Sequence, residues 1–178
     1  MNVYEAIIPE NAPRQKLESY LAHAFPLLPG HVIRNALSKK DVKLDGVRSG
    51  KDAWAQPGSR VMLYTAFSVS LPIVYEDEHV LIVHKPAGIS CDDDGRGGMT
   101  VLSLLEKAAG AAYRPRLCHR LDNQTSGILA LAKDDESEQL LLDAFREHTL
   151  TKVYECIVRG QMRPEKATVK AYLVKDAA

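Results

Sequence analysis

The sequence has few cysteines and no pair of them at a useful spacing. Cys91, Cys118 and Cys156 lie far apart, without a C-x-x-C motif. Their odd number argues against a disulfide framework, and their spacing is not that of a zinc site. We therefore interpret them as small buried hydrophobic residues in a reducing compartment.

Long apolar segments and a secretory leader are also missing. No run approaches the roughly 18 apolar residues that a membrane-spanning helix needs. The first residues, Met-Asn-Val-Tyr-Glu-Ala, lack the basic start and apolar stretch of a signal peptide. With 46% hydrophobic and 26% charged residues among 178, the composition is that of a globular protein. We expect a cytoplasmic protein with no membrane partner, consisting of one domain or of a small and a medium one.

No metal site or cofactor motif is recognisable. The acidic run at residues 92–94 lies in a glycine-rich stretch, but consecutive side chains cannot all converge on one ion. The spacing of a calcium-binding loop is absent as well. We expect residues 91–98 to form a mobile surface loop, and we expect the protein to use neither metal nor cofactor.

The formal charge is zero overall, but its distribution is uneven. Residues 1–70 contain 9 Lys and Arg against 6 Asp and Glu, whereas the remainder contains 14 against 17. The excess of positive charge in the N-terminal part is a weak indication of a nucleic-acid-binding segment.

Residues 14–65 predict a small module of two helices followed by a β-hairpin. Helical spacing and turn chemistry support it: Asp45-Gly46 is a strong hairpin signal, and Pro57-Gly58 marks a turn before another strand. The positions that carry the pattern are Leu17, Tyr20, Leu21 and Ala24, then Val32, Ile33, Ala36 and Leu37, then 42–44 and 61–64.

This module resembles an S4-type RNA-binding domain. Cations cluster around its second helix and hairpin, and such a cluster can follow a phosphate backbone. The resemblance implies that the module binds RNA, with a folding appendage as the alternative. The residues we expect to contact RNA are Arg34, Lys39, Lys40, Lys43 and Arg48.

The second part of the chain predicts an α+β fold with a mainly antiparallel sheet. After a linker at 65–72, residues 73–83 form a hairpin, and His84-Lys85 ends its second strand, either facing water or contacting substrate. Helices are expected from Thr100 to Gly110 and from Asp135, with Glu138 completing a capping-box-like start and His148 at the C-terminal end. Further strands are expected at 151–160 and 168–174. The predicted domains are residues 1–67 and 72–178.

Residues 119–133 read as a strand, a tight polar turn and a second, buried strand. Asp122 stands at the turn, which would give its carboxylate a fixed direction. Basic residues precede it, as they would where an anionic substrate approaches. The alternative is that Asp122 only accepts hydrogen bonds from the backbone of the turn.

The same stretch resembles the signature of the RluA-type pseudouridine synthases. His-Arg-Leu-Asp at 119–122, Thr-Ser-Gly at 125–127 and Ala-Lys at 132–133 occur in the family's order, and His-Lys-Pro-Ala-Gly at 84–88 resembles a further family block. The resemblance implies a monomeric, cofactor-free isomerase acting on rRNA or tRNA. It implies Asp122 as the catalytic residue, with Arg120, Tyr154, His119 and Thr125 on the substrate side.

One family segment, Gly-Arg-x-His-Gln-x-Arg, has no counterpart in these 178 residues. We therefore expect either that the catalytic sheet is incomplete here, with only the N-terminal part of the domain, or that the sheet is completed in another way. Two other classes of protein are alternatives to a pseudouridine synthase. One is an RNA-binding protein, or inactive synthase fragment, without turnover. The other is a hydrolase using one aspartate, which lacks the second carboxylate such chemistry needs.

Overall fold

The computed structural model describes residues 1–93, 95, 97–161 and 168. Its described part contains two four-stranded antiparallel sheets and four α-helices, which confirms the predicted α+β class. No helix among these residues is long and apolar enough to cross a bilayer. Nor do they contain a cluster of His, Cys, Asp or Glu that could hold a metal ion.

The first sheet has the strand order β1-β4-β2-β3 and is covered by two helices. Both predicted helices are confirmed with their buried faces. At the β2–β3 turn, Asp45 and Gly46 have φ of 48° and 85°, as a two-residue hairpin of the Asp-Gly type requires. The elements are β1 Asn2–Ile7, α1 Leu17–Ala24, α2 Gly30–Lys39, β2 Val42–Leu44, β3 Val47–Ser49 and β4 Arg60–Thr65.

Strand β1 was not predicted. It pairs with β4 over its whole length, from Asn2 opposite Thr65 to Ile7 opposite Arg60. The alternation of buried and exposed side chains along β1 is short, since only Tyr4 and Ala6 are buried. The sequence pattern that would predict a strand is therefore weak. The strand is stabilised by its partner rather than by its own pattern.

The second sheet has the order β5-β6-β8-β7. The hairpin of β5 (Ile73–Glu76) and β6 (Val80–Lys85) is confirmed. Strands β6 and β8 (Gly127–Ala132) form the centre, and their inward side chains are almost completely buried. At the other edge, β7 has only two residues, Arg116–Leu117.

Two helices flank this second sheet. Helix α3 (Val101–Ala109) begins with a capping box between Thr100 and Ser103 and ends at Gly110, as expected. Helix α4 (Asp135–Arg146) begins one residue earlier than predicted, because the Asp134 carboxylate, not that of Asp135, caps it by accepting a hydrogen bond from the Ser137 amide.

His148 lies at the C-terminal end of α4 as expected, directly after the C-cap residue Glu147 and with a φ of 55°. One expected strand is not found. Residues 151–160 form no strand: they are exposed and pair with none of the described strands. Alternating residues form a strand only where a partner supplies the hydrogen bonds, and none of the described residues supplies them to 151–160. The strand expected at 168–174 lies, apart from Thr168, outside the described residues.

The two sheets contribute to one continuous apolar core. The connection runs through α1: the Met99 amide donates to the Ala24 carbonyl at 2.6 Å, and the Tyr20 hydroxyl to the Gly97 carbonyl at 2.8 Å. Burial raises the pKa of Tyr20 to about 12. The N-terminal unit therefore packs against the unit that carries the 119–133 motif.

An exposed ion pair connects β6 to α4 and predicts a pH dependence. His79 Nδ1 lies 2.8 Å from the Asp134 carboxylate. The hydrogen bond and charge of Asp134 raise the pKa of His79 above 6.5, with Asp77 and Glu78 adding to the effect, whereas the pKa of Asp134 is well below its usual range. This stabilisation is complete below about pH 6.5 and disappears as the pH rises through the raised pKa.

We expect the Tm of the wild type to fall relative to that of His79→Gln between about pH 6 and pH 8. Thermal unfolding followed by circular dichroism over this range measures it. His31→Gln, at an exposed histidine of α2, is the matched control. Parallel Tm profiles for the wild type and His79→Gln would contradict the assignment.

Candidate active site

Asp122 lies on a loop that connects β7 to β8. The sequence predicted a tight turn between two strands, but the first strand ends at Leu117, so residues 118–126 all belong to the loop. The paired strand is too short to include His119 because only Arg116 and Leu117 meet partners on β8. The conformation of the loop must therefore be determined by other contacts.

A second loop, residues 86–91, runs beside it. It follows β6, whose last residue Lys85 is the register partner of Gly127, the first residue of β8. Because β6 and β8 are antiparallel neighbours, the end of one and the beginning of the other lie at the same edge of the sheet. Both loops therefore leave the sheet at one place.

Cys91 and Leu121 bind each other's loop reciprocally. The Leu121 amide donates to Cys91 Sγ at 3.4 Å, and the Cys91 thiol donates to the Leu121 carbonyl at 3.3 Å. On the other side of Asp122, the Asn123 carbonyl accepts from the Gly88 amide at 2.8 Å. The backbone is thus fixed directly before and after Asp122.

Lys85 is the central contact between the two loops. Its side chain is fully buried, and its ammonium donates to three carbonyls, those of Pro86, Ile89 and Asn123, at 3.1, 2.8 and 3.2 Å. Burial lowers the pKa of Lys85, which the nearby negative charge of Asp122 partly opposes. The sequence suggested that Lys85 either faces water or contacts substrate, and in the structure it does neither of these. His84 is exposed.

The Asp122 carboxylate itself is exposed and has no partner among the described residues. The main-chain carbonyl of Asp122 accepts from the Thr125 amide at 3.0 Å, which closes the turn. The carboxylate makes no hydrogen bond or ion pair with any other residue that the structure describes. It is therefore available to a ligand, and the alternative that it only caps backbone amides of its turn finds no support in the hydrogen bonds.

A cleft of about 920 Å³ lies beside the loop. Thr125 and His119 line it together with Leu121 and with residues 150–156, including Tyr154, which is 63% exposed. Asp122 is not among the lining residues. The structure thus brings three of the four expected substrate residues to one cleft, and Asp122 directly follows the lining residue Leu121 in the chain.

His119 is positioned for a structural role. Its Nε2 accepts a hydrogen bond from the Ala130 amide at 3.0 Å, and its ring lies 4.4 Å from that of Phe145. Burial, together with the charge of Lys152, lowers its pKa. A neutral imidazole whose acceptor nitrogen is occupied ties the loop to β8 and α4.

The remaining expected residues lie apart from the cleft. Arg120 is exposed and forms an ion pair with Asp92 at 3.7 Å. On the N-terminal unit, Arg34 lies 3.9 Å from Glu18, and Lys43 lies over the ring of Tyr64 at 5.3 Å. Lys39, Lys40 and Arg48 are exposed.

Sequence reasoning missed the residues that hold the loop. The Lys-Pro pair of the 84–88 block was noticed, but its buried role has no local signal, since a lysine at a strand end ordinarily faces water. Cys91 carried no signal at all. A second, smaller cavity of about 170 Å³ was also missed; it lies between the end of α1 (His23, Pro26) and the two loops (Ser90, Asn123).

Comparison with known sequences identifies the family to which these loops belong. The sequence model described as RNA pseudouridylate synthase matches residues 79–178, which is more than half of the chain. The chain belongs to the RNA pseudouridylate synthase family. The match includes β6, the two loops at 86–91 and 118–126, and α4. The loop that carries Asp122 is therefore part of the synthase region.

Individual synthases resemble the chain over nearly its whole length. Ribosomal large subunit pseudouridine synthase C of Rickettsia bellii is 26% identical over 96% of this chain, and that of Pasteurella multocida is 30% identical over 95%. The RNA pseudouridine synthase YhcT of Bacillus subtilis is 30% identical over 97%. The chain spans 64%, 57% and 61% of these relatives' lengths, respectively.

The buried ammonium of Lys85 predicts a large effect of its removal. Lys85→Met keeps a side chain of similar length but leaves the Ile89 carbonyl without this donor, whereas the Asn123 carbonyl keeps the hydrogen bond from the Gly88 amide. An unsatisfied buried acceptor costs about 1–3 kcal/mol, so we expect the free energy of unfolding to fall by about that amount. Urea unfolding measures it, with exposed Lys51→Met as control. A loss no larger than that of the control would show that Lys85 does not brace the loops.

Proposed function

We propose that the protein converts uridine to pseudouridine in RNA, with Asp122 as the catalytic residue. The observation that carries the proposal is a carboxylate with no partner among the described residues, on a braced loop whose residues Leu121, Gln124 and Thr125 line a cleft large enough for a nucleoside, within the synthase region. Precise placement of a catalytic group depends on such support from its neighbours.

The chemistry requires one bond to break and one to form. The N1–C1′ bond of uridine breaks, the base turns, and C5 forms a bond to C1′. C5 then loses its proton to solvent while N1 gains one. Asp122 can supply either of two functions: its carboxylate adds to C1′ as a nucleophile, or it removes a proton from the sugar. Neither function needs a metal or a cofactor.

The uridine must leave its stack to reach Asp122, which costs a few kcal/mol. We propose that Arg120 occupies the space that the base vacates, because its guanidinium is planar and charged and, among the described residues, forms an ion pair with Asp92 alone. Tyr154 would stack on the extruded base from the wall of the cleft. Thr125 and His119 act as positioning residues, through the turn and through β8.

We further propose that the N-terminal unit binds RNA as an S4-like domain. Exposed Lys39, Lys40 and Arg48 project from its second helix and hairpin, and such cations contact phosphates irrespective of sequence. The relatives in Rickettsia and Pasteurella are named for the large ribosomal subunit. Large-subunit rRNA is therefore the first substrate to test, and we propose a cytoplasmic, monomeric enzyme.

One observation favours a second candidate function, RNA binding without turnover. Among the residues that the structure describes, no cation pairs with the Asp122 carboxylate. RNA binding and isomerisation must therefore be measured separately.

The first test of the function uses rRNA labelled with tritium at C5 of uridine. We expect the wild type to release tritium and Asp122→Asn to reduce the rate by at least about 10³-fold, because an amide is neither a nucleophile nor a base at neutral pH. Asp92→Asn, at the acidic partner of Arg120, is the matched control and should keep most of the activity. Salt-dependent binding without release from either protein would favour the binding function.

The second test addresses the basic residues. Lys39→Gln with Lys40→Gln should weaken RNA binding and reduce the slope of log K against log salt by roughly 1–2, because each phosphate that a lysine neutralises contributes about one unit to that slope. Filter binding at several salt concentrations measures it. Arg114→Gln, an exposed cation of the second unit, controls for net charge. An unchanged slope would exclude this face from the interface.

A further inference from the structure

The only tryptophan of the chain, Trp54, lies at the surface. It follows β3 and is 41% exposed. Tryptophan buries more apolar area than any other residue when it packs in a core, and on average it is highly buried. A partly exposed Trp in a protein with a continuous core is therefore a candidate contact residue.

The backbone places a lysine directly beside this ring. Lys16 and Trp54 are partners in an isolated antiparallel bridge, with the Leu17 amide donating to the Ala53 carbonyl at 2.9 Å and the Ala55 amide to the Gln15 carbonyl at 3.0 Å. Side chains of directly opposed residues extend to the same side of such a pair. Lys16 Nζ accordingly lies 4.5 Å from the centre of the Trp54 ring.

A second cation completes the cluster. The guanidinium carbon of Arg14 lies 4.8 Å from the ring centre. Neither Arg14 nor Lys16 pairs with a carboxylate in the described part of the chain; Lys16 Nζ donates only to the Asp52 carbonyl, at 3.4 Å. Two cations that pair with no described carboxylate thus lie over one exposed aromatic ring.

The residues directly before Trp54 line a groove with further positive charge. This shallow groove of about 390 Å³ is lined by Lys40 and Lys51, along with Asp52 and Ala53. Lys40 already belongs to the proposed RNA-binding face. The groove therefore extends from that face to Ala53, the neighbour of Trp54 in the chain.

We propose that Trp54 is a stacking site for an unpaired RNA base, which displaces a cation from the ring face, so that Arg14, Lys16 and Lys51 hold the adjoining phosphates. A ring that stacks bases beside cations that follow the backbone is the arrangement by which proteins bind single-stranded nucleic acid. The inference rests on the proposed RNA function and adds a contact outside the catalytic unit. Stacking tolerates any base, so the site contributes affinity rather than sequence choice.

The single tryptophan makes the contact directly observable. Titration of the full chain with a short single-stranded oligouridylate should quench Trp54 fluorescence in a saturable manner. An oligomer of the same length without bases carries the same phosphates but has nothing to stack, and it should bind without comparable quenching. Equal quenching by both oligomers, or binding of the oligouridylate without quenching, would overturn the stacking site.

Variants separate stacking from charge. Because stacking contributes about 1–3 kcal/mol per base, Trp54→Ala should weaken oligouridylate binding at least about fivefold, whereas Trp54→Phe should retain most of the affinity. Arg14→Gln with Lys16→Gln should weaken binding mainly at low salt. Circular dichroism establishes that each variant is folded. An unchanged affinity of folded Trp54→Ala would overturn the proposal.

The outcome is distinguishable from failure of the proposed function. Asp122→Asn should show the same fluorescence quenching as the wild type, because its substitution lies outside the Trp54 cluster. Tritium release by the wild type without Trp54 quenching would leave the synthase function intact and remove only the stacking site. Quenching without tritium release would retain the site and reject turnover.

Discussion

The geometry of the candidate site depends on the buried ammonium of Lys85. Burying a charged lysine is costly unless its donors are satisfied, and here three main-chain carbonyls satisfy them. The cost is offset only while all three carbonyls stay in place. Two of them belong to the 86–91 loop and the third to Asn123, so the charge couples the conformation of one loop to that of the other. Asp122 is the residue directly before Asn123 and shares this constraint.

The central sheet makes this coupling possible. Lys85 and Gly127 are paired across β6 and β8, and therefore the two loops emerge side by side. Leu81, Val83, Leu129 and Leu131 are almost completely buried beneath them and fix the two strands. A rigid sheet that carries clamped loops is a suitable base for a group that must be aimed accurately.

The sequence predicted the elements that local chemistry determines. Helical spacing located α1, α2 and α3, and Asp45-Gly46 located the first hairpin. Features that depend on distant partners were predicted poorly: β1 exists because β4 pairs with it, and residues 151–160 alternate as a strand does yet find no partner among the described strands. At the site, the family signature in the sequence includes Asp122. The reciprocal contact of Cys91 with Leu121 joins residues that are 30 apart in the sequence, and neither segment contains a pattern that predicts it.

The position of α1 relates the two proposed RNA contacts. Lys16 is its N-cap residue and lies beside Trp54, and Ala24 at its C-terminal end binds the Met99 amide close to the cavity lined by Asn123. The helix has 8 residues and is therefore roughly 12 Å long. We therefore expect one RNA strand to contact Trp54 with one nucleotide while another of its nucleotides reaches Asp122. Because hydrogen bonds fix α1 to the synthase unit, the second contact would form within the same complex at a high effective concentration.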